Sequence, residues 1–92
     1  MKAISPPQDL AELNAMIAKR QIHVFPKMQR VFLHFFEHLD DVAFESIKSL
    51  ARSCNVSIST VYRVAVSSGF AQFRKFRDLF RHELKRHQNT SI

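Results

Sequence analysis

The sequence predicts an all-α fold, a five-helix domain containing a helix-turn-helix, and three observations predict it. One Gly and three Pro in 92 residues are too few for a β fold rich in turns. Apolar residues recur three and four apart through most of the chain, the spacing of a single helix face. Nine Phe, one Tyr and no Trp supply large apolar area per residue, which a short chain needs for its core. A chain of this length suits one domain that buries roughly two-thirds of its surface. Its core is expected over about residues 9–86 and its central motif over about 46–69.

Composition also sets bounds on function. No apolar run approaches the ~18 residues of a membrane span. The N-terminus carries one Lys and no apolar segment of the signal-peptide kind. Cys54 is the single cysteine, so no internal disulfide can form. These features lead us to expect a cytoplasmic protein. The net charge of +6 favours a polyanionic partner, nucleic acid first and an acidic membrane surface second.

Pro6 and Pro7, after Ser5, mark a capped helix entry or a short tail. The first helix is expected from Asp9 to Lys19, with Leu10, Leu13, Met16 and Ile17 on one face. Pro26 interrupts the pattern, so residues 21–25 form a connection whose Ile22, Val24 and Phe25 should plug the core. The second helix is expected from Lys27 to Leu39. Met28, Val31, Phe32, Phe35, Phe36 and Leu39 make its wide apolar stripe. Asp40 and Asp41 read as a polar break, after which Val42 and Phe44 should dip back toward the core. Glu37, Asp40, Asp41 and Glu45 form an acidic edge that should face away from phosphates.

Ser46 is a good cap for the third helix, whose inner face is Ile47, Leu50, Ala51 and Cys54. Asn55 then tolerates the left-handed conformation of a tight turn. Ser57 caps the fourth helix, and Val61, Val64 and Ala65 face inward. Ser59, Tyr62, Arg63 and Val66 fall on the opposite side, Thr60 and Ser67 on a flank, and Ile58 at the first turn. Gly69 ends this helix. The fifth helix should run from Ala71 to Arg86, with Phe73, Phe76, Phe80 and Leu84 on one face. Its other face carries six cations against two carboxylates, four of the net six charges. Residues 88–92 have no pattern and should be loose.

The third and fourth helices meet the geometric needs of a helix-turn-helix in order. Ala51 is small where two helices cross, Asn55 suits the turn, and Val56 and Val61 supply apolar packing after it. The fourth helix keeps a free outer face for a major groove. The expected DNA-binding residues are Ser57, Ile58, Ser59, Thr60, Tyr62, Arg63 and Ser67. Arg63 can bond two acceptors on a guanine edge, or can instead meet a phosphate or solvent. Ile58 or Val66 can touch a thymine methyl, and Tyr62 a phosphate. Ser57 and Thr60 suit backbone contacts better than bases.

The stretch LARSCNVSISTVYRVAVSSGF resembles the helix-turn-helix of the RpiR family of bacterial transcription regulators. The matching residues are Leu50, Ala51, Val56, Ser57, Thr60, Val61, Arg63, Gly69 and Phe70. The VS-x-x-TV-x-R core is shared with the LacI family, whereas SSGF followed by FRKFRDLF favours RpiR. Val64 and Ser68 stand where the RpiR pattern prefers Phe and Leu, and Val66 and Ser67 where Lys is frequent. The resemblance implies a homeodomain-like DNA-binding domain acting on sugar or sugar-phosphate metabolism genes. It implies a phosphosugar effector only through a C-terminal sugar isomerase domain, before which this chain stops.

Other chemistry finds little support. His34 and His38 lie four apart, but no third metal ligand is evident nearby. No enzyme activity and no cofactor are expected. A homodimer is expected, because one such motif reads few base pairs, with Phe of the first or last helix at the interface. The alternative is a helical interaction or dimerisation module without DNA specificity, built on the Phe stripe of the fifth helix. A membrane-surface binder built on the same helix is a third reading.

Overall fold

A computed structural model describes residues 5–90, with side chains described for residues 5–86. All regular structure among them is helical, and there are six helices rather than five. They are α1 (Leu10–Ala18), α2 (Pro26–Glu37), α3 (Leu39–Phe44), α4 (Ile47–Cys54), α5 (Ile58–Ser67) and α6 (Phe73–Thr90). The extra helix is α3. The break expected at Asp40 and Asp41 is confined to His38, and both acids open a new helix. Aspartate is a poor residue in a helix interior but a good one in a first turn, where its charge faces the positive end of the helix dipole. The chain end also differs: α6 continues to Thr90, and residues 91–92 lie outside the described range, as do residues 1–4.

The other helices start as the sequence dictates. The Asp9 carboxylate accepts the Glu12 N–H at 2.7 Å and caps α1. Pro26 is the first residue of α2, where a missing N–H costs nothing. Ser46 and Ser57 cap α4 and α5, each accepting an N–H three residues on, at 3.1 and 3.2 Å.

Three helices stop in the same way. Asn55 sits at φ 57° after α4, with Val56 N–H donating to Ala51 O at 3.0 Å and Asn55 N–H to Arg52 O at 3.1 Å. Gly69 sits at φ 98° after α5, with Phe70 N–H donating to Ala65 O at 3.0 Å. These paired bonds satisfy carbonyls that a helix end leaves open. Arg20 takes the same left-handed role after α1, at φ 59°. An arginine there costs about 1–2 kcal/mol of backbone strain relative to a right-handed residue.

The core is aromatic at its centre. Phe35 of α2 and Phe76 and Phe80 of α6 are fully buried, with ring centroids 5.3 to 6.2 Å apart. Phe73 joins them, 6.4 Å from Phe35. Truncating such a ring to Ala costs about 3–5 kcal/mol. Leu10, Leu13 and Met16 of α1, with Ile22, Met28, Val31 and Val42, belong to the same cluster, as do the inner faces of α4 and α5. Leu84 is only partly covered, and Leu79 takes the buried place beside Phe80.

Two apolar residues expected inside are outside. Phe25 is 50% exposed and Phe44 is 74% exposed. Phe25 is the extended residue before Pro26, and its ring stands edge-on to His23 at 4.5 Å. Phe44 is the last residue of α3, while Val42 and Ala43 take the buried positions of that short helix. The Phe residues expected at an interface between copies are not exposed either. Phe73, Phe76 and Phe80 are all buried, and α1 contains no Phe. Among the described residues, Phe73, Phe76, Leu79 and Phe80 of α6 all pack into the domain's own core.

Candidate nucleic-acid interface

The candidate interface is the outer face of α5. α5 packs on α4 and on α2 through Val61, Val64 and Ala65, all buried. Ser68 seals the inner side: it is fully buried, and its hydroxyl donates to Val64 O at 2.8 Å. With the inner face fixed, helical periodicity turns Ser59, Tyr62, Arg63 and Val66 outward, and all four are exposed. Ile58 projects from the first turn, 43% exposed. Thr60 and Ser67 are half-buried on the flanks.

The structure thus brings Ser57, Ile58, Ser59, Thr60, Tyr62, Arg63 and Ser67 onto one helix and its cap. Ser57 is partly occupied: its oxygen accepts the Thr60 N–H and lies 3.0 Å from the Thr60 hydroxyl. One of these two hydroxyls donates to the other, so the pair retains one proton for an external acceptor.

Sequence reasoning missed a second element. The first turn of α2 lies beside α5. A cleft of about 310 Å³ is lined by Phe25, Pro26, Lys27 and Met28 on one side and by Thr60 and Arg63 on the other. A second cleft, also about 310 Å³, joins Lys27 and Arg30 to Asn55, Val56, Ser57 and Thr60. Lys27 and Arg30 are exposed. A pattern within α2 cannot disclose this, because Lys27 and Thr60 are far apart in sequence. A sequence signal for the electropositive region does exist. From Ser46 to Arg77 there is no Asp or Glu, and there are six cations: Lys48, Arg52, Arg63, Arg74, Lys75 and Arg77.

The basic face of α6 is less available than its composition suggests. Arg77 donates through Nε to Val42 O at 3.0 Å and through Nη2 to Glu45 O. Its guanidinium also stands 5.1 Å from the Phe73 ring centre. Arg81 Nε donates to Ala43 O at 2.8 Å. Both side chains close the C-terminal end of α3. Burial, and then the neighbouring Arg81 charge, hold the Arg77 pKa below its usual value, while Asp78 opposes the shift. Arg86 pairs with Glu83 at 3.5 Å. Arg74, Lys75 and Lys85 remain exposed on α6.

Elsewhere, the His34 and His38 rings lie 4.4 Å apart, and His38 Nδ1 is 3.9 Å from an Asp41 oxygen. Among the described residues, no group of three His, Cys, Asp or Glu could hold a metal ion. Cys54 is buried, and that burial raises its thiol pKa. No helix among the described residues is long and apolar enough to cross a membrane. The chain matches no protein-family model, no curated protein and no solved structure.

Proposed function

We propose that this chain binds duplex DNA, with α4, the turn at Asn55 and α5 acting as a helix-turn-helix whose α5 enters the major groove. The carrying observation is the outer face of α5, exposed along its length and set in a stretch, residues 46–77, that holds no carboxylate and, besides the Arg77 engaged by α3, the exposed cations Lys48, Arg52, Arg63, Arg74 and Lys75. Such a stretch complements a phosphate backbone, and an exposed helix of this size fits a groove about 12 Å wide. Arg63 is the base-reading residue. Lys27, Arg30 and the Ser57–Thr60 pair contact flanking phosphates, which orient the helix without specifying sequence.

On this reading the chain is the DNA-binding domain of a transcription regulator, in keeping with its resemblance to the RpiR pattern. Regulation of sugar-phosphate genes, a phosphosugar effector held by a further domain, and pairing of two copies on a two-part operator belong to the same proposal. A reducing, cytoplasmic setting accords with one unpaired, buried cysteine.

The exposure of Leu33, at 59%, and of Phe44 supports a second reading as a protein-interaction module. Duplex binding at increasing salt separates the two. DNA binding through several cations gives a log–log slope of about −0.9 per phosphate neutralised. Arg63→Ala is expected to weaken the preferred duplex by about 1–3 kcal/mol and random duplex much less. Equal loss on both makes Arg63 a phosphate contact, and affinity indifferent to salt overturns the proposal.

A further inference from the structure

Six large apolar side chains are exposed among the described residues, and three of them, Ile58, Tyr62 and Val66, lie on α5. They are four apart, so they form one oblique stripe on the outer face, at 43, 48 and 62% exposure. Arg63 is the only charged residue of α5, and the helix carries no Asn, Gln, Asp or Glu. A helix that read base edges by hydrogen bonds alone would carry amides or several arginines here. A helix that only followed phosphates would carry lysines. Instead most of this face is aliphatic or aromatic. The major groove offers one apolar group, the 5-methyl of thymine.

We infer that α5 recognises thymine methyl groups, with Ile58 and Val66 each seated against one, on either side of the base pair contacted by Arg63. The inference rests on the DNA-binding reading and adds the chemical class of site. Charge complementarity selects this occupant over a protein: the stripe is flanked by Arg63 and, across the cleft, by Lys27, and no carboxylate lies between residues 46 and 77. Ile58 and Val66 are about 12 Å apart along the helix axis, enough to reach separate base pairs. Tyr62 lies between them, with its hydroxyl free to reach the backbone or a base edge.

The test uses duplexes enriched by the whole chain from a random-sequence library. The best duplex is remade with deoxyuridine for each thymidine in turn, which removes a methyl and leaves base pairing intact. Two positions are expected to weaken binding about fourfold each, the fold-change for one buried carbon. Ile58→Ala should abolish the sensitivity at one of them and Val66→Ala at the other. Both residues are exposed, so these variants keep the fold, and circular dichroism checks it. If the fully uridine duplex binds as tightly as the thymidine duplex, methyl reading is overturned while DNA binding stands. If the chain enriches no duplex at low salt, and Ile58→Asp dissociates a dimer in sedimentation, the stripe is a protein-docking face and both readings fall.

Discussion

α3 and α5 are both short helices lying against the same core, and their electrostatics are opposite. α3 begins with Asp40 and Asp41 at its positive end, and its last carbonyls are closed by Arg77 and Arg81. Its charges and dipole are answered from within the chain. α5 has no charge in its first turn, and Arg63 points to solvent. Its turns are satisfied at both ends, yet none of the described residues covers its outer face. The difference shows how little a charge count says about a site. α6 is the most cationic helix, but its two central arginines serve α3. α5 has one cation, and it is the helix left facing outward.

The largest effect should come from breaking the α3 side. Arg77→Ala removes two hydrogen bonds from a charged donor and a contact with the Phe73 ring. It leaves the Val42 and Glu45 carbonyls to find water. The expected loss is about 2–3 kcal/mol of stability in urea denaturation, with the DNA salt slope of the folded protein unchanged. Unchanged stability with a shallower slope would instead make Arg77 a phosphate contact, and the contrast between the helices would fail.

That arginine also marks where the sequence stops being informative. Ser46, Asn55, Ser57 and Gly69 were legible, because each acts on backbone groups within a few residues of itself. The inner and outer faces of α5 were legible from periodicity alone, and so were its candidate contact residues. Arg77 and Arg81 were not, since their acceptors lie 35 and 38 residues away and follow from how α3 rests on α6. α3 itself was hidden because Asp40 and Asp41 suit a polar loop as well as a first turn. Arg20 gave no sign of a left-handed residue, because arginine has no preference for that conformation. Phe25 and Phe44 show that apolar character alone does not imply burial, since both stand at helix ends and are exposed.

The α5 side is sharpened by the residues that only folding brings near it. Lys27→Ala and Arg30→Ala should each make the salt slope shallower by about one, with equal losses on preferred and random duplex. Both side chains are exposed, so unfolding free energy should change by no more than about 0.5 kcal/mol. A loss confined to the preferred duplex would move these residues from phosphates to base edges and would enlarge the reading surface beyond α5.

The smallest effect comes from a cation at an unfavourable place. Lys75 is exposed in the first turn of α6, where the helix dipole favours an acid and none is present. α1 and α3 do carry acids in that position, Glu12 in one and Asp40 and Asp41 in the other. A lysine there works slightly against the dipole, and on the DNA-binding reading a phosphate would offset that cost. Lys75→Glu should therefore raise the unfolding free energy by about 0.5 kcal/mol while reducing duplex affinity. Lys85→Glu supplies the control, about 15 Å farther along the same helix and outside the acid-free stretch. It should leave both quantities nearly unchanged. If Lys75→Glu stabilises the domain and binding does not respond, the electropositive surface ends at α5, and α6 serves the fold alone.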